Sequence, residues 1–282
     1  MHRIVGALWA VALLAGCGPA PPKPPPAPPP RPETSRLSAS LCADSERPRG
    51  FTVERGELAP VLALERKAPP DWRGAYERAF VLAQQGNSAA ILHLSDLYAS
   101  PATGFADAAE SQRLFDCALR LGAPRALVRR GVQLAARGKR PDGAAAVSLL
   151  ERAAALGDLE GLGRLADLVE AGRQGWPAAP AAGREIRQLC ADAGGHACQY
   201  ALAGRMEAAG DARGAYFWLE VLASRPLADD PPQYAARRDA VAARIGPEEA
   251  RRTRALAKRW FRQSWGQVAL RWAAARDRIL AD

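Results

Sequence analysis

The chain has 282 residues, of which 25 are glycines and 23 are prolines, and its formal charge is +9. Such a charge suits an anionic lipid surface or an acidic partner as well as nucleic acid, so charge alone selects none of them. Histidines number three, and the sequence has no G-x-S-x-G elbow, H-E-x-x-H helix or phosphate-binding glycine loop. We therefore expect a binding protein rather than an enzyme, with no catalytic residues, no cofactor and no metal.

The chain begins with the features of a secretory signal peptide. Arg3 is followed by an apolar run that ends at Ala15, and this run is too short to span a bilayer as a helix. The segment closes with the letters LAGC at Cys17, which resemble the lipobox of bacterial lipoproteins. The resemblance implies cleavage before Cys17 and acylation of its thiol, which would anchor the protein stably in a membrane. An ordinary secreted protein with a coincidental cysteine is the alternative.

The residue after the lipobox indicates a location. Gly18 occupies the position at which lipoproteins retained in the inner membrane usually carry Asp. The resemblance therefore implies an outer-membrane lipoprotein that faces the periplasm of a Gram-negative cell, with exposure at the cell surface as a variant. An envelope address argues against nucleic acid as a partner.

A proline-rich linker follows at residues 18–35, and its first part reads GPAPPKPPPAPPPRP. This composition forms no packed core and favours extended polyproline II. At about 3.1 Å per residue, this first part is a semi-rigid spacer of about 45 Å that holds the folded part away from the lipid headgroups. The alternative is a docking segment for a proline-recognition groove.

Past an irregular arm at residues 36–70, a glycine followed four residues later by a small residue recurs along the chain. These corner glycines are Gly86, Gly122, Gly157 and Gly194. They lie 35 to 37 residues apart, and each separates two runs with the apolar spacing of an amphipathic helix. A fixed period of this length predicts stacked helix pairs, because one pair cannot bury its apolar stripe alone. We predict an all-α, right-handed α/α solenoid of about four helix-pair repeats at residues 71–223, with extra C-terminal capping helices.

Two stretches of this period read SQRLFDCALRLGAPRALVRRGVQLAARG and AVSLLERAAALGDLEGLGRLADLVEAG. They resemble Sel-one-like repeats, which are tetratricopeptide-related helix pairs of about 36 residues. The resemblance covers residues 71–223. It departs from the family between the helices, where the glycine-valine-aspartate loop survives only as fragments such as Gly138 and Asp142.

A disulfide is predicted at the fourth corner. Cys190 and Cys198 lie on either side of Gly194, where one helix ends and the next begins, and a turn of this length can return two side chains to bridging distance. The corner also resembles the cysteine-rich bacterial branch of the family. A metal site of Cys190, His196 and Cys198 is the alternative, and it lacks a clear fourth ligand.

The pairing of the remaining cysteines is predicted from their number. The chain has five, and the lipid anchor takes Cys17. An even set of four can pair completely in an oxidising compartment. Cys42 and Cys117 are therefore predicted to pair, by subtraction.

Partner-binding candidates come from the surface of the second helix in each pair. Stacked helix pairs present one helix of each pair along a concave face, and positions +7 and +10 from the corner glycine lie beside the apolar stripe. The polar residues at these positions are His93, Asp96, Arg129, Arg164 and Asp167. Arg129 and Arg164 lie one repeat apart and are suited to clamp a carboxylate or an acidic loop. The pattern does not say which helix lines the concave face.

The C-terminal residues 224–282 are predicted to form a helical cap with a basic, tryptophan-containing tail. Pro247, followed by Glu248 and Glu249, marks a helix start. Further along, arginines and lysines accompany an apolar set of Leu256, Trp260, Phe261, Val268, Trp272 and Leu280. The tail either covers the end of the array or lies as a basic amphipathic helix on anionic lipid.

These features favour a lipid-anchored scaffold of the cell envelope that binds another protein on its concave face. Lipoproteins with repeats that resemble these occur beside toxic effectors in bacteria, so the family analogy implies an adaptor or an immunity protein against a secreted antibacterial effector. The alternative is a peptidoglycan-associated envelope module or wall-modifying factor.

Overall fold

The computed structural model describes Leu41 and residues 56–137, 140–172, 178–224 and 233–279. This part of the chain contains thirteen α-helices and no strand, so the predicted all-α fold is confirmed. The predicted signal peptide, Cys17 with its acyl anchor, and the proline-rich linker lie outside the described residues. No described helix combines the length and the apolar character that a bilayer-spanning segment needs.

The helices follow one another with short connections. Helix α1 (Ala59–Glu65) lies in the segment predicted as an irregular arm. Four pairs follow, and they are α2 (Trp72–Gln84) with α3 (Ser88–Ala99), α4 (Ala108–Arg120) with α5 (Pro124–Ala136), α6 (Arg140–Ala155) with α7 (Leu159–Ala171), and α8 (Pro180–Asp192) with α9 (His196–Ala208). The last helices are α10 (Ala212–Ala223), α11 (Gln233–Ile245), α12 (Pro247–Arg259) and α13 (Trp265–Ile279).

All four corner glycines adopt the left-handed backbone conformation. The φ angles of Gly86, Gly122, Gly157 and Gly194 are +81°, +78°, +88° and +89°, a region that a residue with a Cβ atom rarely adopts. Each glycine therefore ends one helix and reverses the chain into the next. The sequence period arises from this local backbone requirement.

Side chains cap the first turn of several helices, among them α2 and α4. Asp71 and Asp107 accept hydrogen bonds from the backbone nitrogens of Gly74 at 2.9 Å and Glu110 at 3.0 Å. Such a cap satisfies an otherwise unpaired backbone N–H group and stabilises a helix by about 1 kcal/mol.

The pairs stack into a solenoid whose buried apolar side chains form two clusters, one of residues between 41 and 126 and the other of residues between 127 and 272. Each second helix packs against its own partner and against the first helix of the next pair, as α3 does on α4, α5 on α6 and α7 on α8. The second helices also contact one another, α3 with α5, α5 with α7 and α7 with α9. Curvature brings the helices of a concave layer closest together, so the second helices form the inner layer.

A fifth helix pair continues the stack beyond the predicted repeats. Helix α10 packs against α9, and α11 packs against α10, whereas the sequence placed α11 in the C-terminal cap. The connection between α10 and α11 contains prolines and no glycine, so a search for the glycine corner could not find this pair.

The last two helices reach back along the layer of first helices. Helix α12 contacts α10, and α13 contacts α8. Trp260 packs edge-on against Trp218 with 6.0 Å between ring centroids, and Val268 and Trp272 are buried. Leu256 and Phe261, predicted on the same apolar face, are instead exposed.

The predicted disulfide between Cys190 and Cys198 is present and joins the end of α8 to the start of α9, with 5.9 Å between the Cα atoms. Both sulfurs that the alternative metal site requires are therefore used in this bond. Cys117 is buried and also disulfide-bonded. Its predicted partner, Cys42, lies outside the described residues, so that pairing stays a prediction.

Candidate functional site

The five candidate partner-binding residues all lie on second helices, and therefore in the inner layer. His93 and Asp96 are on α3, Arg129 is on α5, and Arg164 and Asp167 are on α7. Their environments differ, however, and the differences separate residues that hold the solenoid together from one that remains available to a ligand.

His93 belongs to the packing at the N-terminal end of the solenoid. Its Nε2 atom lies 2.7 Å from Oε1 of Glu65, which is on α1, and the His93 side chain is 13% exposed. Helix α1 therefore covers this position. No sequence pattern predicts this contact, because Glu65 lies in a segment without helical periodicity.

Asp96 and Arg129 form an ion pair with each other. Nη2 of Arg129 donates a hydrogen bond to Oδ1 of Asp96 at 2.6 Å, and the guanidinium lies over the ring of Phe115, 5.5 Å from its centroid. Position +10 of one pair thus meets position +7 of the next. The charge of Arg129 is thus partly compensated by Asp96 within the solenoid, and the predicted clamp of Arg129 with Arg164 stays a prediction.

Similar ion pairs connect the other inner-layer helices. Arg125 on α5 pairs with Glu160 on α7, and Arg205 on α9 pairs with Glu170 on α7. Farther along, Arg237 on α11 pairs with Glu207 on α9 at 3.1 Å. The partners are 30 to 35 residues apart in sequence, a separation close to the repeat period. An arginine one period from a carboxylate is the signal that could have found them.

At the second junction, between the second and third helix pairs, position +10 is Val132 and position +7 is Arg164. Arg164 therefore has a valine at the position where Arg129 has the carboxylate of Asp96. The Arg164 side chain is 51% exposed, and within the described residues its ion pair is with Glu160 of its own helix, at 3.6 Å. Glu160 is already bonded to Arg125. The positive charge of Arg164 is therefore only weakly compensated.

At the third junction, the equivalent positions carry Asp167 and Ala201, and the alanine side chain is too short to pair with a carboxylate. Asp167 instead accepts a hydrogen bond from Nη2 of Arg187 on α8, at 2.7 Å. Arg187 is 5% exposed and also donates to Glu170 at 3.0 Å. Burial by itself would lower the pKa of Arg187, but its hydrogen bonds to Asp167 and Glu170 raise the pKa above its usual value.

Two hollows open beside Arg164 where the alternation of charges is interrupted. The first has a volume of about 610 Å³ and combines apolar and charged lining residues, which include Val132, Leu150, Leu168, Arg164 and Arg205. The second, of about 450 Å³, lies at the disulfide corner; its lining includes Arg125, Arg164, Asp167, Arg187 and Ala201. Both hollows share Arg164 and Asp167.

This arrangement is suited to binding. A guanidinium beside apolar lining residues can take a carboxylate in two parallel hydrogen bonds, while an adjacent apolar group of the ligand packs on those residues. The described residues contain no group of three or more His, Cys, Asp or Glu side chains placed to hold a metal ion.

Comparisons with known proteins bear on the fold. No family model and no curated protein matches the sequence. Among solved structures, a protective antigen of uropathogenic Escherichia coli with an SLR fold is similar, with a TM-score of 0.52 and 16% identity over 78% of this chain and 48% of the antigen. A Sel1 repeat protein from Oxalobacter formigenes has a TM-score of 0.47 and 20% identity over 80% of this chain and 88% of its own.

The chain spans about half the length of the antigen, at 48%. The two proteins share stacked antiparallel helix pairs, and in this chain the pairs follow the 35-to-37-residue period of the corner glycines. The chain therefore has the fold of the Sel1-like repeat proteins.

Proposed function

We propose that this protein is a non-catalytic binding scaffold of the bacterial cell envelope, anchored through an acylated Cys17. It captures another protein on the inner layer of its solenoid. The observation that carries this proposal is Arg164, a half-exposed arginine beside a hollow with apolar lining residues, whose ion pair within the described residues is a 3.6 Å contact with Glu160 of its own helix.

The partner presents an acidic segment to this site. A carboxylate pairs with Arg164, and a neighbouring aliphatic or aromatic side chain fills the hollow lined by Val132 and Leu168. The acidic residues nearby do not repel such a segment strongly, because Asp167 is paired with Arg187, and Glu170 with Arg187 and Arg205. Shape and charge at this site both favour one kind of ligand.

Within the envelope, the proposed role is that of an adaptor or of an immunity protein against a secreted antibacterial effector. An immunity protein forms a tight stoichiometric complex, and cells that lack it grow poorly only when the cognate toxin is present. An adaptor instead joins its partner to a further envelope component and carries no such conditional growth defect.

Affinity capture tests the proposal. Residues 18–282, prepared without the acyl anchor and kept non-reduced, are incubated with envelope extract, and retained proteins are identified by mass spectrometry. We expect one dominant partner at a fixed stoichiometry. Retention of purified sacculi with no protein partner would contradict the proposal and support the peptidoglycan-associated alternative.

A further inference from the structure

The connection between α12 and α13 contains an aromatic side chain, Phe261, that is exposed to solvent. Phe261 is 73% exposed, yet the residues on both sides of it are fixed. Trp260 packs on Trp218 of α10, and the backbone nitrogen of Gln263 donates a hydrogen bond to the carbonyl oxygen of Asp192, at 2.9 Å. The exposure of Phe261 is therefore built into an anchored loop.

Further contacts brace this loop against the disulfide corner. Nη1 of Arg271 on α13 donates to Oδ2 of Asp192 and to Oε1 of Gln263, each at 2.9 Å. The stem of Arg262 lies directly on the corner, since a Cβ atom at Gly194 would come within 2.6 Å of its Cδ atom. Because Gly194 has no Cβ atom, the aliphatic stem of Arg262 has room at this position.

Uncompensated positive charge surrounds the exposed ring. Lys258, Arg259 and Arg262 are exposed, and none of them has an acidic partner within the described residues. The sequence from Ala250 to Arg276 contains no Asp or Glu. Other arginines of this region, such as Arg254, which pairs with Glu220, are tied to the solenoid.

A second large apolar side chain belongs to the same segment. Leu256 is 45% exposed and lies on the last turn of α12, five residues before Phe261. Exposed apolar side chains among cations are complementary to a binding surface with an anionic outer layer and an apolar layer beneath it. An anionic bilayer has this layering and needs no shaped recess to receive a protruding ring.

We infer that the segment 256–262 docks on an anionic membrane surface. Phe261 and Leu256 enter the boundary between headgroups and acyl chains, and Lys258, Arg259 and Arg262 contact the anionic headgroups. Helices α12 and α13 pack on the first helices α10 and α8; the Arg262 stem reaches Gly194 at the second hollow, whereas the lining of the first hollow beside Arg164 includes no residue of this segment. The first hollow therefore stays available to a partner while the segment is docked.

Vesicle flotation of residues 18–282 without an acyl group tests the inference. This form retains every described helix, since the first of them begins at Ala59. We expect flotation with phosphatidylglycerol vesicles, little with phosphatidylcholine vesicles, and a loss of the bound fraction at high salt. Phe261→Ser weakens binding about tenfold, as expected from the loss of one inserted apolar side chain.

Two variants make the test specific. Lys258→Gln with Arg259→Gln abolishes the preference for phosphatidylglycerol, whereas Val81→Ser, which removes an exposed apolar side chain from α2, leaves binding unchanged. Equal flotation of wild type and Phe261→Ser, or equal binding to both lipids, would overturn the inference. So would absence of vesicle binding together with retention on an acidic protein, which would assign the segment to a protein partner.

Discussion

The carboxylate of Asp96 on α3 accepts a 2.6 Å hydrogen bond from the guanidinium of Arg129 on α5, and this pair joins two neighbouring repeats of the solenoid. The two residues occupy positions +10 and +7 of successive repeats, so the pair fixes which positions meet across a junction. The same positions at the next junction are Val132 and Arg164. An interrupted structural pattern therefore identifies the candidate binding residue.

Removal of the first inter-repeat ion pair should cost little stability. Both side chains are more than a third exposed, so Asp96→Ala is expected to lower the free energy of unfolding by about 0.5–1 kcal/mol. Urea unfolding followed by circular dichroism measures the change. Glu77→Ala, which breaks an exposed pair with Arg73 inside α2, is the control and should cost at most about 0.5 kcal/mol.

Removal of Glu170 should cost more. Its side chain is 16% exposed and holds both Arg205 and the buried Arg187. Glu170→Gln leaves Arg187 buried with only Asp167 as its acidic partner, so the free energy of unfolding should fall by about 2–3 kcal/mol. A decrease in the free energy of unfolding no larger than that of Asp96→Ala would contradict the prediction that the ion pairs of Glu170 stabilise the solenoid.

The contribution of Glu170 should depend on pH. Burial alone would raise the pKa of Glu170, but hydrogen bonds from Arg205 and Arg187 lower it below the usual value of 4.5. The folded state therefore binds the proton less readily than the unfolded state, and the stabilisation is complete above pH 4.5 and is lost as the pH falls through the folded pKa. Stability curves of wild type and Glu170→Gln should converge in acid. Parallel curves down to the acid transition would refute this assignment.

A buried tyrosine pair should make the protein sensitive to alkali. The hydroxyl of Tyr98 donates to that of Tyr76 at 3.3 Å, and burial raises the pKa of both phenols above 10.0. Because the folded pKa is raised, the stabilisation is present below the unfolded pKa of about 10 and is lost as the pH rises above it. Tyr98→Phe should weaken this loss in thermal melts at alkaline pH. An unchanged alkaline transition would show that other groups cause it.

The disulfide should stabilise the fourth corner. It closes a short loop with a sequence separation of 8, so the chain-entropy model gives about 2.5 kcal/mol. Dithiothreitol should lower the melting temperature of the wild type much more than that of Cys190→Ala with Cys198→Ala. Since Cys117 is also disulfide-bonded, the double variant serves as the matched reference. An equal effect of the reductant on both proteins would contradict the prediction.

The fold was predictable because its main signal is local. A left-handed backbone at Gly86 or Gly157 restricts the residue type at that position, so the repeat is visible in the sequence. The pair of α10 and α11 escaped prediction because its connection, 224–232, contains prolines instead of a glycine corner. Local signals identify only those repeats that share the same turn.

The candidate site was predictable only in part. Positions +7 and +10 were predicted beside the apolar stripe of each second helix, and the second helices form the inner layer. Whether a polar residue there is neutralised depends on the residue one repeat away, as the difference between Arg129 and Arg164 shows. The exposure of Phe261 also depends on distant contacts, because Trp218 and Asp192 anchor its neighbours.

The most direct test of the central claim compares two charge reversals. Arg164→Glu changes the inner layer at the weakly compensated arginine, and Arg78→Glu makes the same change on an exposed position of the first helix α2. The partner obtained by affinity capture is titrated against wild type and both variants by calorimetry, with circular dichroism to confirm equal helix content. We expect Arg164→Glu to weaken binding at least about tenfold and Arg78→Glu to bind as wild type does. Wild-type affinity of Arg164→Glu would contradict the account.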